Sequence, residues 1–275
     1  MHIIYFILLL FFNLQASDFA DNKNVVKKSI YANKRVFIVY ENDTIFDKDN
    51  KGVKSKQYYD NVLAIYYDNN KINVLFYDFD RIYDKNKKVI YAFGSGSAKN
   101  INVVSNNAFL FTNGVNLVKF DKNLSNKQMT ILDSSVEPKV AYILDGIIYI
   151  SFYDRTLIKF NSNLKPLESY KTNSLITAMG EFNKSIIFGF KNGNILYKNK
   201  EINISNSQID SLVSCNNKIY IGDWEGKIYT CNKEFRGEIL QKDVFKDRVI
   251  ALFCDKDLGL IAVSWDGDIV ILNEF

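Results

Sequence analysis

Histidine is nearly absent from this sequence, and its absence excludes several kinds of catalytic and metal site. The only histidine among the 275 residues is His2, beside the initiator Met. If residues 1–16 are removed as a leader, the mature chain has no imidazole. A Ser-His-Asp or Cys-His nucleophile, an imidazole-bound zinc or copper ion and a histidine-ligated haem are then all excluded. General acid–base catalysis near neutral pH would then depend on carboxylates, Lys or Tyr.

Proline and long basic runs are also scarce. Proline cannot donate in a strand ladder, so a chain with only 2 Pro suits a fold made mostly of paired strands. The 35 basic and 31 acidic residues are interspersed, giving a formal charge of +4, and no basic pair extends to a third consecutive basic residue. Nucleic-acid binding needs a clustered Lys/Arg stripe, so we expect no nucleic-acid partner.

The first sixteen residues have the character of a secretory leader. Residues 3–12 are all apolar. This run is too short for a membrane helix, which needs about 20 residues, but fits a signal peptide. Ala16 provides a small residue before the cut, which predicts a signal peptide over 1–16 and a mature periplasmic domain over 17–275. The leader lacks the usual Lys or Arg, which leaves a retained anchor or a buried first strand as alternatives. No other stretch reaches 18 apolar residues, so we expect no membrane segment after cleavage.

A repeat of about 37 residues runs through the mature chain. In each repeat an apolar strand is followed by a shorter strand that ends on an aromatic or apolar residue. The aligned end residues are Phe46, Tyr83, Phe120, Phe160, Tyr197, Cys231 and Leu272. Tight turns containing Gly193, Gly226 and Gly267 join the two strands in the last three repeats, because Gly tolerates the positive φ of hairpin turns.

Further strands complete these repeats. An apolar strand precedes several pairs, as at 62–65, 140–144 and 249–252, and a more polar one follows some of them, as at 127–132 and 237–240. Four antiparallel strands in about 40 residues are typical of a β-propeller blade. The sequence therefore predicts an all-β fold, a seven-bladed β-propeller of four-stranded antiparallel blades. The last repeat reaches only its third strand, and residues 17–30 are the candidate to complete it, with a three-stranded blade as the alternative.

In period and strand pattern, the chain resembles seven-bladed propellers of the WD40-like and quinoprotein-like group. The Trp-Asp pair that ends the third strand of true WD40 repeats is replaced here by pairs such as Phe46-Asp47. Trp265-Asp266 lies instead in the turn between strands two and three. In size, export and repeat type the chain is similar to the NapL accessory proteins of the periplasmic nitrate reductase system. This resemblance implies a non-enzymatic accessory factor whose protein partners are periplasmic redox enzyme components.

The two tryptophans are the candidate partner-binding residues. Trp224 and Trp265 occupy equivalent turns in repeats six and seven. Two aromatic side chains on one face favour a protein-interaction surface, since Trp is enriched at binding hot spots. The alternative is that both residues simply cover the apolar core.

Three asparagines match an extended bacterial glycosylation sequon, Asp/Glu-x-Asn-x-Ser/Thr. They are Asn123, Asn183 and Asn203. Chance matches are the alternative, because the chain is rich in Asn, Lys and Ser.

The three cysteines match no metal or redox spacing. Cys215 and Cys254 fall on first strands of neighbouring repeats, so they could be close, and the periplasm permits a disulfide. With three cysteines in the chain, at least one stays free or pairs between molecules. The favoured interpretation is that all three are small buried apolar residues.

No catalytic residue, cofactor-binding residue or metal ligand can be assigned from the sequence, and we expect no cofactor. Carboxylates such as Asp78, Asp80, Asp154, Asp223 and Asp266 are typical turn residues. Several of them could still converge in a propeller channel as a calcium-type metal site. A carboxylate-metal hydrolase or lactonase is therefore the alternative to the non-enzymatic accessory factor.

Overall fold

The structure, a computed structural model, describes residues 25–49, 52–68, 71–103, 108–121, 124, 127–132, 136–231 and 240–272. These residues form 27 β-strands and no helix. Within the described part of the chain, therefore, no helix has the length and apolar character needed to cross a membrane. The strands form seven antiparallel blades in sequence order, which confirms the predicted seven-bladed β-propeller.

The first four blades each contain four strands. Blade 1 contains β1 (Val26–Ala32), β2 (Arg35–Tyr40), β3 (Thr44–Asp49) and β4 (Gly52–Tyr58). Blade 2 contains β5 (Val62–Asp68), β6 (Lys71–Asp78), β7 (Arg81–Asp84) and β8 (Val89–Ala92). Blade 3 contains β9 (Lys99–Val103), β10 (Ala108–Thr112), β11 (Asn116–Asp121) and β12 (Gln128–Ile131). Blade 4 contains β13 (Pro138–Leu144), β14 (Ile147–Phe152), β15 (Thr156–Phe160) and β16 (Pro166–Lys171).

The last three blades follow the same order. Blade 5 contains β17 (Ile176–Phe182), β18 (Ser185–Phe190), β19 (Asn194–Tyr197) and β20 (Lys200–Asn203). Blade 6 contains β21 (Ile209–Cys215), β22 (Lys218–Asp223), β23 (Lys227–Cys231) and β24 (Leu240–Asp243). Blade 7 contains β25 (Val249–Asp255), β26 (Gly259–Ser264) and β27 (Ile269–Leu272).

The sequence repeat corresponds to the blades strand by strand. All seven aligned end residues lie on third strands, and the apolar strands before them are the second strands. Both prolines open a strand, Pro138 in β13 and Pro166 in β16, where a missing N–H is tolerated. Of the predicted fourth strand at 237–240, Leu240 is the first described residue of β24, and residues 237–239 lie outside the described residues.

First strands line a central channel, and a register shift recurs in them. In six blades one extra residue, as in a β-bulge, interrupts pairing with the second strand. The extra residues are Lys27, Leu63, Lys139, Thr177, Asp210 and Ile250. A bulge leaves a ladder group unpaired and redirects side chains, so these six positions share one level near the start of each first strand.

At four of these shifts, a side chain of the preceding blade donates a hydrogen bond to the backbone carbonyl of the residue just before the extra one. Each bond joins neighbouring blades and gives a backbone carbonyl a side-chain donor. The bonds run from Lys27 Nζ to Val62 O (2.8 Å), Ser151 Oγ to Ile176 O (3.3 Å), Thr177 Oγ1 to Ile209 O (2.5 Å) and Ser211 Oγ to Val249 O (2.8 Å). Blades 3 and 4 are joined differently, by parallel pairing of β9 with β13.

Blade 1 contacts blade 7 and so closes the ring. The Val26 backbone N–H donates to Trp265 O at 3.0 Å, and the Tyr31 hydroxyl donates to Asp255 at 2.8 Å. A shared core cluster buries side chains of both blades, among them Val36, Ile38, Ile261 and Val263.

The N-terminal segment departs from expectation. Residues 26–30, which we assigned to the strand that completes blade 7, form part of β1 in blade 1. The reason is the register of β1, which pairs along β2 in the position that first strands take in other blades. Residues 17–24 lie outside the described residues, so their role as the fourth strand of blade 7 stays a prediction.

A disulfide links blades 6 and 7, which corrects the interpretation of all three cysteines as unbonded apolar residues. Cys215 at the end of β21 is bonded to Cys254 in β25, with Cα atoms 5.3 Å apart. The first strands of adjacent blades lie side by side, which brings the two thiols together. The bond closes a loop with a sequence separation of 39, and such closure stabilises a fold by about 2–4 kcal/mol. Cys231 is buried and unbonded, and burial raises the pKa of its thiol to about 12.

Gly222 allows blades 6 and 7 to approach each other closely. A Cβ at this position would lie 2.4 Å from Ser211 Oγ and 2.6 Å from Val249 Cγ1. We expect Gly222→Ala to lower the free energy of unfolding by about 1–3 kcal/mol through overpacking, measured by urea denaturation.

Ser169→Ala is the control for Gly222→Ala. Ser169 is exposed in the outer strand β16, so the change to Ala removes no buried contact. It should change the free energy of unfolding by less than about 0.5 kcal/mol. A Gly222→Ala protein as stable as the wild type would contradict the close packing of blades 6 and 7.

Candidate partner-binding face and channel

The turns between second and third strands are built alike around the ring. In most blades a turn N–H donates to the backbone carbonyl just before the first strand. In blade 6 the Trp224 N–H donates to Gln208 O at 2.9 Å, and in blade 7 the Trp265 N–H donates to Arg248 O at 2.9 Å. The two tryptophans therefore occupy equivalent turns, as the sequence predicts.

Buried polar groups fix the turn that carries Trp224. The Asp223 side chain is fully buried, and its Oδ1 accepts from the N–H groups of Glu225 and Lys227, both at 2.9 Å. Its Oδ2 accepts from Ser205 Oγ at 2.8 Å and from the Tyr229 hydroxyl at 3.0 Å. Four hydrogen bonds compensate the desolvation of this carboxylate, so the turn is held rigidly.

Arg248 brings the two tryptophans into one site. Its guanidinium carbon lies 3.8 Å from the ring centroid of Trp224 and 4.2 Å from that of Trp265. The guanidinium carbon thus lies over indoles of two adjacent blades, and each contact is a cation–π interaction worth about 0.5–2 kcal/mol.

Asp210, the extra residue of β21, orients the guanidinium. Arg248 Nε donates to Asp210 Oδ2 at 2.8 Å, and Gln208 Nε2 donates to Asp210 Oδ1 at 2.6 Å. The side chains of Arg248 and Asp210 are 18% and 5% exposed. Both carboxylate oxygens are therefore occupied, and the guanidinium is fixed by one edge and by both of its faces.

We call Tyr153, Trp224 and Trp265 the aromatic face. Tyr153 holds the same turn position in blade 4, where its N–H donates to Glu137 O. Its side chain is 52% exposed and that of Trp224 is 48% exposed, while Trp265 is half-buried. The Lys139 amine lies 5.2 Å from the Tyr153 ring centroid. Exposed aromatic side chains beside an Arg have the composition of a binding hot spot.

The channel opens beside this face and has a volume of about 620 Å³. Its wall is about half apolar and includes Ile65, Val140 and Leu212 from first strands. Lys28 lines it as well, and desolvation lowers the pKa of this amine to about 8. The channel is thus a mixed apolar and cationic cavity.

The carboxylate-metal alternative requires several oxygen ligands to converge. Among the residues that the structure describes, no group of three or more His, Cys, Asp or Glu side chains could hold a metal ion. The Asp223 carboxylate accepts hydrogen bonds within its own turn. The Asp154 carboxylate accepts from the Lys171 amine at 2.5 Å. The described channel therefore gives the hydrolase alternative no support.

The predicted glycosylation residues lie in different settings. Asn123 lies outside the described residues. Asn183 is exposed in the turn between β17 and β18, with a positive φ of 49°. Asn203 is exposed at the end of β20, but its Nδ2 donates to Asn194 Oδ1 at 2.8 Å and to Ser205 O at 3.2 Å. Modification at Asn203 would therefore have to break both bonds or precede folding.

Sequence reasoning found the tryptophans but missed Arg248 and Asp210. Asp210 gave a signal, because it interrupts the otherwise buried start of β21 with a charge. Arg248 gave none, since a single basic residue before an apolar strand is common. Only the fold brings both side chains to the tryptophans.

Comparison with known proteins supports the fold alone. The chain matches no protein-family model, and it has no significant match among curated proteins. Among solved structures it is similar to BBS1N crystallised with ARL6DN and soaked with lead, at 11% identity over 90% of this chain and 91% of that one, with a TM-score of 0.66.

Two further structures are similar. The computationally designed protein Ika8 has 13% identity over 91% of this chain and 96% of its own, with a TM-score of 0.59. A chain of the mitotic checkpoint complex has 10% identity over 60% of this chain and 56% of its own, with a TM-score of 0.53. A designed protein and a chain of the mitotic checkpoint complex both share this fold, so function has to be argued from the site.

The lowered pKa of Lys28 predicts how stability depends on pH. Below about pH 8 the folded protein carries the amine charged at a desolvation cost. Between pH 8 and the usual value of 10.5 the unfolded state holds a proton that the folded state lacks, so this contribution grows more favourable with pH. We expect Lys28→Met to raise the free energy of unfolding at pH 7 by about 1–3 kcal/mol and by less at pH 9.5.

Lys200→Met, at an exposed position of β20, is the control and should change stability little at either pH. Both variants are compared by urea denaturation. A Lys28→Met protein less stable than the wild type at pH 7, or an advantage that does not shrink by pH 9.5, would contradict the prediction.

Proposed function

We propose that this protein is an exported, non-enzymatic β-propeller that binds a protein partner through its aromatic face. The observation that carries the proposal is the half-exposed Trp224 stacked on a fixed Arg248. An ordered aromatic side chain loses little conformational entropy on binding, so its burial by a partner contributes strongly to affinity. The rigid ring would present these turns without any chemistry of its own.

Export is supported by two features of the chain. The first is the leader-like sequence of residues 1–16. The second is the bond between Cys215 and Cys254, because disulfides persist in oxidising compartments and are rare in the cytosol.

We further propose that the partner is a component of a periplasmic redox enzyme, with the nitrate reductase system as the first candidate. The size, leader and repeat type shared with NapL accessory proteins support this choice. It is narrower than the interaction role and is tested separately.

Export can be tested on protein purified from a periplasmic fraction without reductant. We expect an intact mass that begins at Ser17 and one thiol, Cys231, that reacts with alkylating agent after unfolding. Reduction should raise the number of reactive thiols to three. The same spectrum shows whether Asn123, Asn183 or Asn203 carries glycan. A chain that retains residues 1–16 in the cytosol, with three reactive thiols, would refute export.

The binding face can be tested by site-specific photo-crosslinking in the native host. A benzophenone amino acid at Trp224 should give a discrete adduct, whereas one at Leu167 should not. Leu167 is the control because it is 54% exposed near the start of the outer strand β16, at the opposite end of its blade from the turn between second and third strands.

The cross-linked protein is then purified, and its affinity for wild-type and Trp224→Ala propeller is compared. We expect binding at least tenfold weaker for the variant, a loss of about 1.4 kcal/mol. No adduct at position 224, or equal adducts at both positions, would refute the aromatic face as the binding surface. A partner unrelated to nitrate reductase would refute only the narrower proposal.

A further inference from the structure

Arg248 keeps part of its hydrogen-bonding capacity unused within the described residues. A guanidinium has five N–H donors. One of them, on Nε, donates to Asp210, and this is the only hydrogen bond that Arg248 makes to the described part of the chain. The indoles of Trp224 and Trp265 cover the two faces of the group, and ring faces accept no conventional hydrogen bond from its in-plane N–H groups. The Nη end is therefore left for a ligand.

Arg248 is one of the residues that line the channel. Arg248, Asp210 and Trp265 all line the cavity of about 620 Å³, which lies in the size range of small-molecule sites. Three lysines line the same cavity, Lys27, Lys28 and Lys139. A ligand that reached Arg248 from the channel would thus meet further cations.

The charge balance of the lining favours an anion. Its carboxylates are Glu41, Asp68 and Asp210, against four cationic side chains. Asp210 is already bonded to both Arg248 and Gln208. Lys27 forms its ion pair with Asp43, at 3.1 Å. The positive excess is small, which suits a carboxylate better than a multiply charged phosphate.

We propose that the Arg248 end of the channel binds a carboxylate group. A guanidinium matches a carboxylate through two parallel N–H···O bonds, and its fixation between two indoles removes most of the entropy cost of ordering it. The apolar wall from Ile65, Val140 and Leu212 would contact the carbon skeleton of the ligand. The carboxylate can come from a free organic acid or from the C-terminus of a peptide. This inference goes beyond the proposed function and does not depend on a protein partner.

The chain contains only two tryptophans, and both stack on Arg248. Intrinsic fluorescence therefore reports on this site. The probes are succinate, the tripeptide Ala-Ala-Ala with a free C-terminus, and the same tripeptide amidated. Sodium sulfate at matched ionic strength is the anion control, and calorimetry provides an independent affinity. We expect a saturable fluorescence change with succinate, the free tripeptide or both, and none with the amide or sulfate.

Variants assign the response to Arg248. Arg248→Lys should weaken binding at least tenfold, because Lys cannot make the bidentate contact. Arg155→Lys, at an exposed turn outside the channel, should bind as the wild type does. If Arg248→Lys fails to fold, Lys139→Gln carries the assignment, with an expected loss of at least threefold.

Each outcome decides the proposal. A response to succinate alone identifies a free organic acid as the ligand, and a response to the free tripeptide identifies a peptide terminus. If neither acid, at concentrations up to about 10 mM, gives a saturable response in fluorescence or in calorimetry, the carboxylate site is overturned. Equal responses to the amide or to sulfate, or equal weakening by Arg155→Lys, would overturn it too.

Discussion

The extra residue near the start of the first strand is the constraint on which this propeller depends. It recurs in six blades, and a buried carbonyl left without a donor would cost about 1–3 kcal/mol. At four junctions a side chain of the preceding blade donates to the carbonyl just before the extra residue, for example Thr177 Oγ1 to Ile209 O at 2.5 Å. At these four junctions each blade therefore adds a hydrogen bond to the next one. Neighbouring repeats pack together because no repeat can bury its apolar faces alone. Hydrophobic packing has no preferred direction, so such hydrogen bonds help to fix the position of one blade against the next.

The same extra residue also places charged side chains at the opening of the channel. A regular strand would alternate its side chains between two faces, whereas an extra residue re-aims the chain at one point. Asp210 is such a residue, and from this position it reaches Arg248 of the next blade. Lys139 occupies the equivalent place in blade 4, with its amine over the Tyr153 ring. The feature that joins the blades therefore also places the charged groups beside the aromatic face.

The sequence predicts the fold well because period, strand pattern and turn glycines are local properties. The seven aligned end residues, from Phe46 to Leu272, recur at nearly constant spacing, so the number of blades and the order of their strands can be counted from the sequence. The position of residues 26–30 could not be predicted, because a β-rich segment pairs equally well in principle with blade 1 or blade 7. The disulfide and the Arg248 site join residues 38–39 positions apart in sequence, and only the lateral contact of blades 6 and 7 brings them together. The tryptophans were detectable because equivalent turns repeat.

Binding at Arg248 and closure of the ring share one turn. Trp265 covers one face of Arg248 with its indole, while its backbone carbonyl accepts the Val26 N–H that joins blade 1 to blade 7. Arg248 O in turn accepts the Trp265 N–H. Any group that orders Arg248 therefore also orders the last junction of the ring, and by linkage a ligand that binds only the closed ring stabilises it. A carboxylate bound at Arg248 would therefore couple occupancy of the site to closure of the ring.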